Sequence, residues 1–213
     1  MTISGSTFSG NRSKGVGGGL SNAGTTLLSN DTISGNYADE SDAGLYNSST
    51  SVASLNNLTI VNNRADYDVN GVGQGGGIFI EAGTVNIYNT IIAQNTDSVL
   101  VQHPDCDGSV ATSTYNLIQN TSGCTLQGSP IGNVTGQSPQ IGPLTNNGGS
   151  TRTHALLPNS PALNAGRLYA NGAFNNCEAT DQRNLPRAPG GRCDIGAYES
   201  GAAIQLFLPI VVR

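Results

Sequence analysis

A chain of 213 residues with 5% aromatics, 11% charged residues, 29 Gly, no Trp and a net charge of −5 has too little bulk for an ordinary globule and too little net charge for disorder. Its one Lys and eight Arg form no basic stripe, which excludes nucleic-acid binding and polybasic membrane contact. No apolar run approaches the ~20 residues of a membrane-spanning helix, so the composition points to a repetitive β architecture with a thin core.

The repeat begins at Thr2. Phe8-Ser9-Gly10-Asn11 recurs as Ile33-Ser34-Gly35-Asn36, Ile60-Val61-Asn62-Asn63 and Ile92-Ala93-Gln94-Asn95, and more faintly as Leu117-Ile118-Gln119-Asn120. In the first four copies the closing Asn steps by 25, 27 and 32 residues. Two further motifs keep phase with it. Leu28, Leu55 and Ile87 each precede the apolar anchor by five residues, and Leu20, Leu45 and Ile78 each follow a run of small residues. Three in-phase motifs per period predict three short strands per turn of the chain, hence a right-handed single-stranded parallel β-helix whose coils stack ~4.8 Å apart. The predicted inward ladders are Phe8-Ile33-Ile60-Ile92, Leu28-Leu55-Ile87 and Leu20-Leu45-Ile78. Asn11, Asn36, Asn63 and Asn95 are expected to stack in a turn, because an amide both donates and accepts. The repeats occupy 1–138, an irregular solenoid end 139–200 and an apolar tail 201–213.

Longer periods mark insertions at 65–74 and between Asn95 and Cys106, and in repeat folds such insertions often carry contacts. The first contains Asp66-x-Asp68-x-Asn70-Gly71, alternate oxygens and a turn Gly in the manner of half a calcium loop. The twelfth position, however, is Gly77, so calcium at Asp66, Asp68 and Asn70 competes with a solvated acidic loop. Asp39-Glu40-x-Asp42 and Asp105-x-Asp107-Gly108 read as solvated turns. No other cofactor is implied. Four Cys form two local pairs, Cys106 with Cys124 and Cys177 with Cys193. Three connectivities are open, local pairing is the simplest, and free buried thiols are the alternative. Disulfides would place the chain outside the cytoplasm. No signal peptide precedes the repeat, so the start is expected to have been cleaved, lost or taken inside a longer frame.

Phe8 to Asn11 and Gly75-Gly76-Gly77-Ile78 resemble the repeats of polymorphic outer-membrane proteins and related autotransporter-like β-helices. Further on stand Gly142-Pro143-Leu144, Asn146-Asn147-Gly148-Gly149-Ser150-Thr151-Arg152-Thr153-His154-Ala155-Leu156 and Ser160-Pro161-Ala162-Leu163-Asn164-Ala165-Gly166. Cys177, Asp181-Gln182-Arg183, Pro186-Arg187 and Cys193-Asp194-Ile195-Gly196-Ala197-Tyr198-Glu199 complete the series. It resembles the choice-of-anchor Q domain of secreted bacterial β-helix proteins over 139–199, with Asn164 and Asn184 where that family usually has Asp and Gly. The resemblance implies an exported or cell-surface protein with a C-terminal anchoring element, and no catalytic residue. Read from their residues alone, Ile141, Leu144, Leu156, Leu163 and Ile195 are spaced to extend the core, and Asp181, Arg183, Arg187, Asp194 and Glu199 form a structural ion-pair set.

A glycan lyase needs a Lys or Arg base beside bound metal, and a hydrolase needs paired carboxylates on adjacent strands. Lys14, the one Lys, sits in a Gly-rich turn, and no Asp pair falls on the repeated strand positions, so the chain reads as a non-enzyme. The Thr7, Thr32 and Thr59 column, which an ice-binding face would need, is broken by Ile91. In the tail, Ile204, Leu206, Phe207, Leu208, Ile210 and Val211 make both strand faces apolar. That strand is expected to assemble subunits head to tail, to pack on its own solenoid or to serve as a sorting tail. The expected function is therefore structural or adhesive, with glycan binding or cleavage as the alternative. Tyr37, Tyr46, Tyr67 and Tyr88, scattered over several coils, support a cell-surface glycan partner only weakly.

Overall fold

The computed structural model describes residues 1–128, 130–168, 174–187 and 191–201. Among these the regular structure is all β, in strands of two to five residues with no helix. The local reason is a repeated triplet, an inward Ile, Leu or Phe flanked by small or β-branched residues, closed at once by a turn former.

Three parallel sheets result. The first stacks Thr2–Ser4, Thr25–Ser29, Val52–Asn56, Thr84–Tyr88 and Thr112–Thr114. The second stacks Thr7–Ser9, Thr32–Ser34, Thr59–Val61, Ile91–Ala93, Leu117–Ile118 and Val134–Thr135. The third stacks Leu20–Asn22, Leu45–Asn47, Ile78–Ile80, Cys106–Val110 and Cys124–Leu126. In each sheet the order in space is the order in sequence, and the chain visits the sheets in rotation, an arrangement compatible with a β-solenoid. The registers reproduce the expected ladders: Phe8, Ile33, Ile60 and Ile92 are successive partners, as are Leu28, Leu55 and Ile87, and Leu20, Leu45 and Ile78. All three ladders meet in one apolar core.

The corners are as regular as the strands. The residue after each strand of the first sheet is left-handed: Gly5, Asn30, Asn57, Asn89 and Tyr115 have φ of 64, 54, 56, 47 and 57°. So is the residue after the second sheet's strands, at Gly10, Gly35, Asn62 and Gln94. Gly and Asn dominate both columns because they enter this region most easily. Ahead of the third sheet the small residues are required by close approach: a Cβ on Gly19 would sit 2.7 Å from the Gly44 carbonyl oxygen, and one on Gly44 would collide with the carbonyl of Gly77.

The Asn column is a continuous hydrogen-bonded rail. Asn36 Oδ1 accepts from Asn11 N and Nδ2 at 3.1 and 3.0 Å, Asn63 Oδ1 from Asn36 N and Nδ2 at 3.0 and 2.9 Å, and Asn95 Oδ1 from Asn63 N and Nδ2 at 3.0 and 2.9 Å. The second amide proton of Asn36, Asn63 and Asn95 goes to the carbonyl of Phe8, Ile33 and Ile60 on the preceding rung. The rail ends on Asp105, whose Oδ1 accepts from Asn95 N and Nδ2 and whose Oδ2 accepts from Asn120 N. Asp105 is therefore a buried terminus, not a solvated turn residue, and it holds the place expected for the faint repeat at Asn120.

The described residues between 139 and 201 do not lengthen this core. They fold back along the outer face of the second sheet, where Val61, Ile91, Ala93 and Leu117 point away from the inner ladder and join Leu156, Ala162 and Ile195 in a second apolar cluster. A sheet with apolar residues on both faces must be covered on both. The antiparallel hairpin Ile141–Thr145 and Thr153–Leu156 supplies part of that cover. The Thr column lies beneath it, with Thr32 Oγ1 donating to Gln182 Oε1 and Thr59 Oγ1 accepting from Ala197 N. Both local disulfides are present, Cys106–Cys124 and Cys177–Cys193.

Two outcomes follow from these features. Asn63→Ala strands buried donors of Asn36 and the Ile33 carbonyl, and should lower the unfolding free energy by roughly 3 kcal/mol or more, whereas Asn11→Ala, at the exposed end of the rail, should cost about 1 kcal/mol or less. Equal losses in denaturant titration would contradict the rail. The bridges span 18 and 16 residues, so replacing either pair by Ser should cost about 3 kcal/mol in the same measurement.

Candidate functional site

The outer face of the third sheet carries the chemistry that the strands project into solvent. Register places Ser21, Tyr46, Phe79 and Asp107 in one outward column. The Tyr46 and Phe79 rings lie 6.3 Å apart and 13° from parallel. Tyr46 Oη donates to Glu81 Oε2 at 2.6 Å, and that bond, with the neighbouring negative charge, pushes the phenol up to about 12. His103 Nδ1 stands 3.2 Å from Asp107 Oδ2, and its backbone N–H donates to Asp97 Oδ2 at 2.7 Å. The result is a strip of stacked rings bordered by carboxylates.

Behind this face the acids turn inward. Asp42, Asp66 and Asp97 are buried, although two of them belong to turns expected to be solvated. Asp66 Oδ1 accepts from Gly71 N, while Oδ2 has no hydrogen-bond partner. Asp68 and Asn70 are exposed and bond within their own turn, Asn70 Nδ2 to Asp68 Oδ2 at 3.0 Å and Val72 N to Asn70 Oδ1 at 2.8 Å. Asp66 is thus buried, whereas Asp68 and Asn70 face solvent. Among the described residues no three His, Cys, Asp or Glu side chains are grouped to hold a metal ion. The tips of the insertions expose Val69, Val72, Leu100 and Val101.

Two other clusters are built to hold the C-terminal segment. His154 Nδ1 faces the Gly142 carbonyl oxygen at 2.7 Å, so Nδ1 carries the proton and Nε2 accepts from the Ser34 hydroxyl at 2.9 Å. Burial lowers the imidazole pKa and keeps it neutral. The pair borders a cavity of about 600 Å³ that Asn62, Gln94 and Arg152 also line. Ser34 is itself buried, and the imidazole is oriented by a carbonyl in place of a carboxylate; the contact fastens the hairpin to the second sheet. In the expected ion-pair set, Arg183 binds Asp181 Oδ2 through Nε and Nη2 at 2.8 and 2.6 Å and lies 3.7 Å over the Tyr198 ring. The fully buried Arg187 joins Glu199 Oε2, the Gly196 carbonyl and Asn30 Oδ1, each at 2.9 Å. Its pKa is lowered by burial, against the pull of Glu199. Ile204, Leu206, Phe207, Leu208, Ile210 and Val211, the expected assembly strand, lie outside the described residues.

Sequence reasoning missed the Tyr46–Phe79 strip and the inward acids. The strip had a signal, since Tyr46 and Phe79 each follow the Leu45 and Ile78 anchor by one position. Compared with family models, curated proteins and solved structures, the chain matches none.

Buried carboxyls also fix a pH dependence. Asp31, at the corner between the first and second sheets, accepts from Ser6 N with Oδ1, while Oδ2 is unpartnered. Burial raises it from 3.8 to about 7. The fold therefore favours the protonated acid: the stability this gives is complete below the unfolded value of 3.8 and is lost as pH rises through about 7. Asp105, raised to about 6 by burial, acts in the same sense. In thermal melts between about pH 5 and pH 8, wild type should lose more stability than Asp31→Asn. His154 acts in the opposite sense but equally in both proteins. Equal slopes would show that the Asp31 carboxyl is not held out of water.

Proposed function

We propose that this chain is an exported, right-handed, single-stranded parallel β-helix with three short strands per coil, serving as a structural or adhesive surface protein that catalyses no reaction. Handedness rests on the rule that connections between parallel strands of one sheet are right-handed in about 98% of cases. Export is supported by the two disulfides and by the resemblance to polymorphic outer-membrane-protein repeats and to the choice-of-anchor Q domain. The observation that carries the reading is where the polar side chains go. The Asn rail and the Arg183 and Arg187 clamps bond inward, which builds a rigid rod.

The rod associates head to tail through the apolar segment Ile204 to Val212. Buried, its large side chains are worth roughly 1.5–3 kcal/mol each. Strand addition to an outermost rung would satisfy backbone groups of both molecules, and a contact of this kind propagates as a filament. Sedimentation and electron microscopy of the whole chain should show concentration-dependent linear association that deletion of Ala203 to Arg213 abolishes. A strictly monomeric whole chain at high concentration would end the assembly reading. The purified protein should leave pectin and alginate intact.

The second reading, a glycan-binding β-helix, is favoured by the Tyr46–Phe79 strip beside Glu81 and Asp107. Here Tyr46→Ala with Phe79→Ala should abolish retention on the glycan that wild type binds. A double variant bound as well as wild type would exclude this face.

A further inference from the structure

We infer that a hard divalent cation, of which Ca²⁺ is the type, binds between the second and third rungs ahead of the third sheet, with the Asp42 carboxylate as its direct anionic ligand. Three residues before Leu20, Leu45 and Ile78 the chain turns through Gly17, Asp42 and Gly75, with φ of 70, 66 and 70°. Asp42 is the non-Gly member of this left-handed column. It is fully buried at 0% exposure, and neither Oδ1 nor Oδ2 has a hydrogen-bond partner. A Cβ on Gly75 would lie 2.7 Å from Phe79 Cβ, 2.9 Å from the Ile78 carbonyl oxygen and 3.0 Å from Asp42 Oδ1, so only glycine on the next rung lets the chain lie against the carboxylate.

A carboxylate in this position is costly in two ways. The left-handed conformation disfavours a side chain, and a buried, unpaired anion is strongly disfavoured. The charged neighbours increase the difficulty. Burial first, and then the charges of Asp107 and Glu81, disfavour the Asp42 carboxylate. The His103 imidazole faces Asp107, and its backbone N–H donates to Asp97. A cation relieves both the desolvation and the mutual repulsion. Among the described residues no three acidic side chains converge here, so the ion takes Asp42 together with turn carbonyls, as oxygen-bound Ca²⁺ does. Asp107 and Glu81 contribute charge, not contact. The site is separate from the exposed turn of Asp68 and Asn70.

The test is thermal unfolding and calorimetric titration of the whole chain with Ca²⁺ alone, against EDTA, at neutral pH. Millimolar Ca²⁺ should raise the wild-type Tm by about 5 °C or more. Asp42→Gly, which matches the rungs on either side, should melt in EDTA no lower than wild type and show no Ca²⁺ shift. Asp68→Asn should keep the full shift. The inference is overturned if wild type shows no shift, if Asp42→Gly retains it, or if Asp68→Asn abolishes it.

Discussion

A side-chain amide buried at a corner must place two protons and one carbonyl oxygen, and stacking the same residue on every rung meets that demand. Asn36 and Asn63 each accept from the rung before and donate to the rung after, while the remaining proton goes to a strand carbonyl. Each bond satisfies a group that would otherwise be stranded in a core too thin to compensate by area. The rail also fixes register. A slip of one residue would turn Ile33, Ile60 and Ile92 outward and leave every amide unpaired. It needs an acceptor without a proton to pass on, and Asp105 supplies one.

The C-terminal segment answers a different constraint. Outward Val61, Ile91 and Leu117 would be exposed on the second sheet without it. Gln182 Nε2 reaches the Ser6 carbonyl and Thr7 Oγ1, while Gly196 N donates to the Asn89 carbonyl. The segment thus crosses rungs that are far apart in sequence and ties them with a buried ionic clamp. Such a clamp is a weak source of net stability but is costly to break by removing one partner.

The inner ladders were legible because their spacing is periodic and their residue types are few. The outer cluster was legible in principle: Val61 and Ile91 flank inward Ile residues, the pattern of a strand covered on both faces. Spacing across a single copy does not say what covers it, and Ser34 meets His154 across 120 residues of sequence. The acids misled for a physical reason. Asp in a turn ordinarily faces water, so Asp42 and Asp105 read as solvated, and only the stacking of rungs reveals that their turns are interior.

The central claim is that the Asn column is a buried, mutually bonded rail and not a row of surface amides. Side-chain amide hydrogen exchange, followed by nuclear magnetic resonance, tests it most directly. The Nδ2 protons of Asn36, Asn63 and Asn95 should exchange as slowly as backbone amides of the core strands, and those of exposed Asn62 should exchange freely. Exchange of all three at the rate of Asn62 would contradict the account.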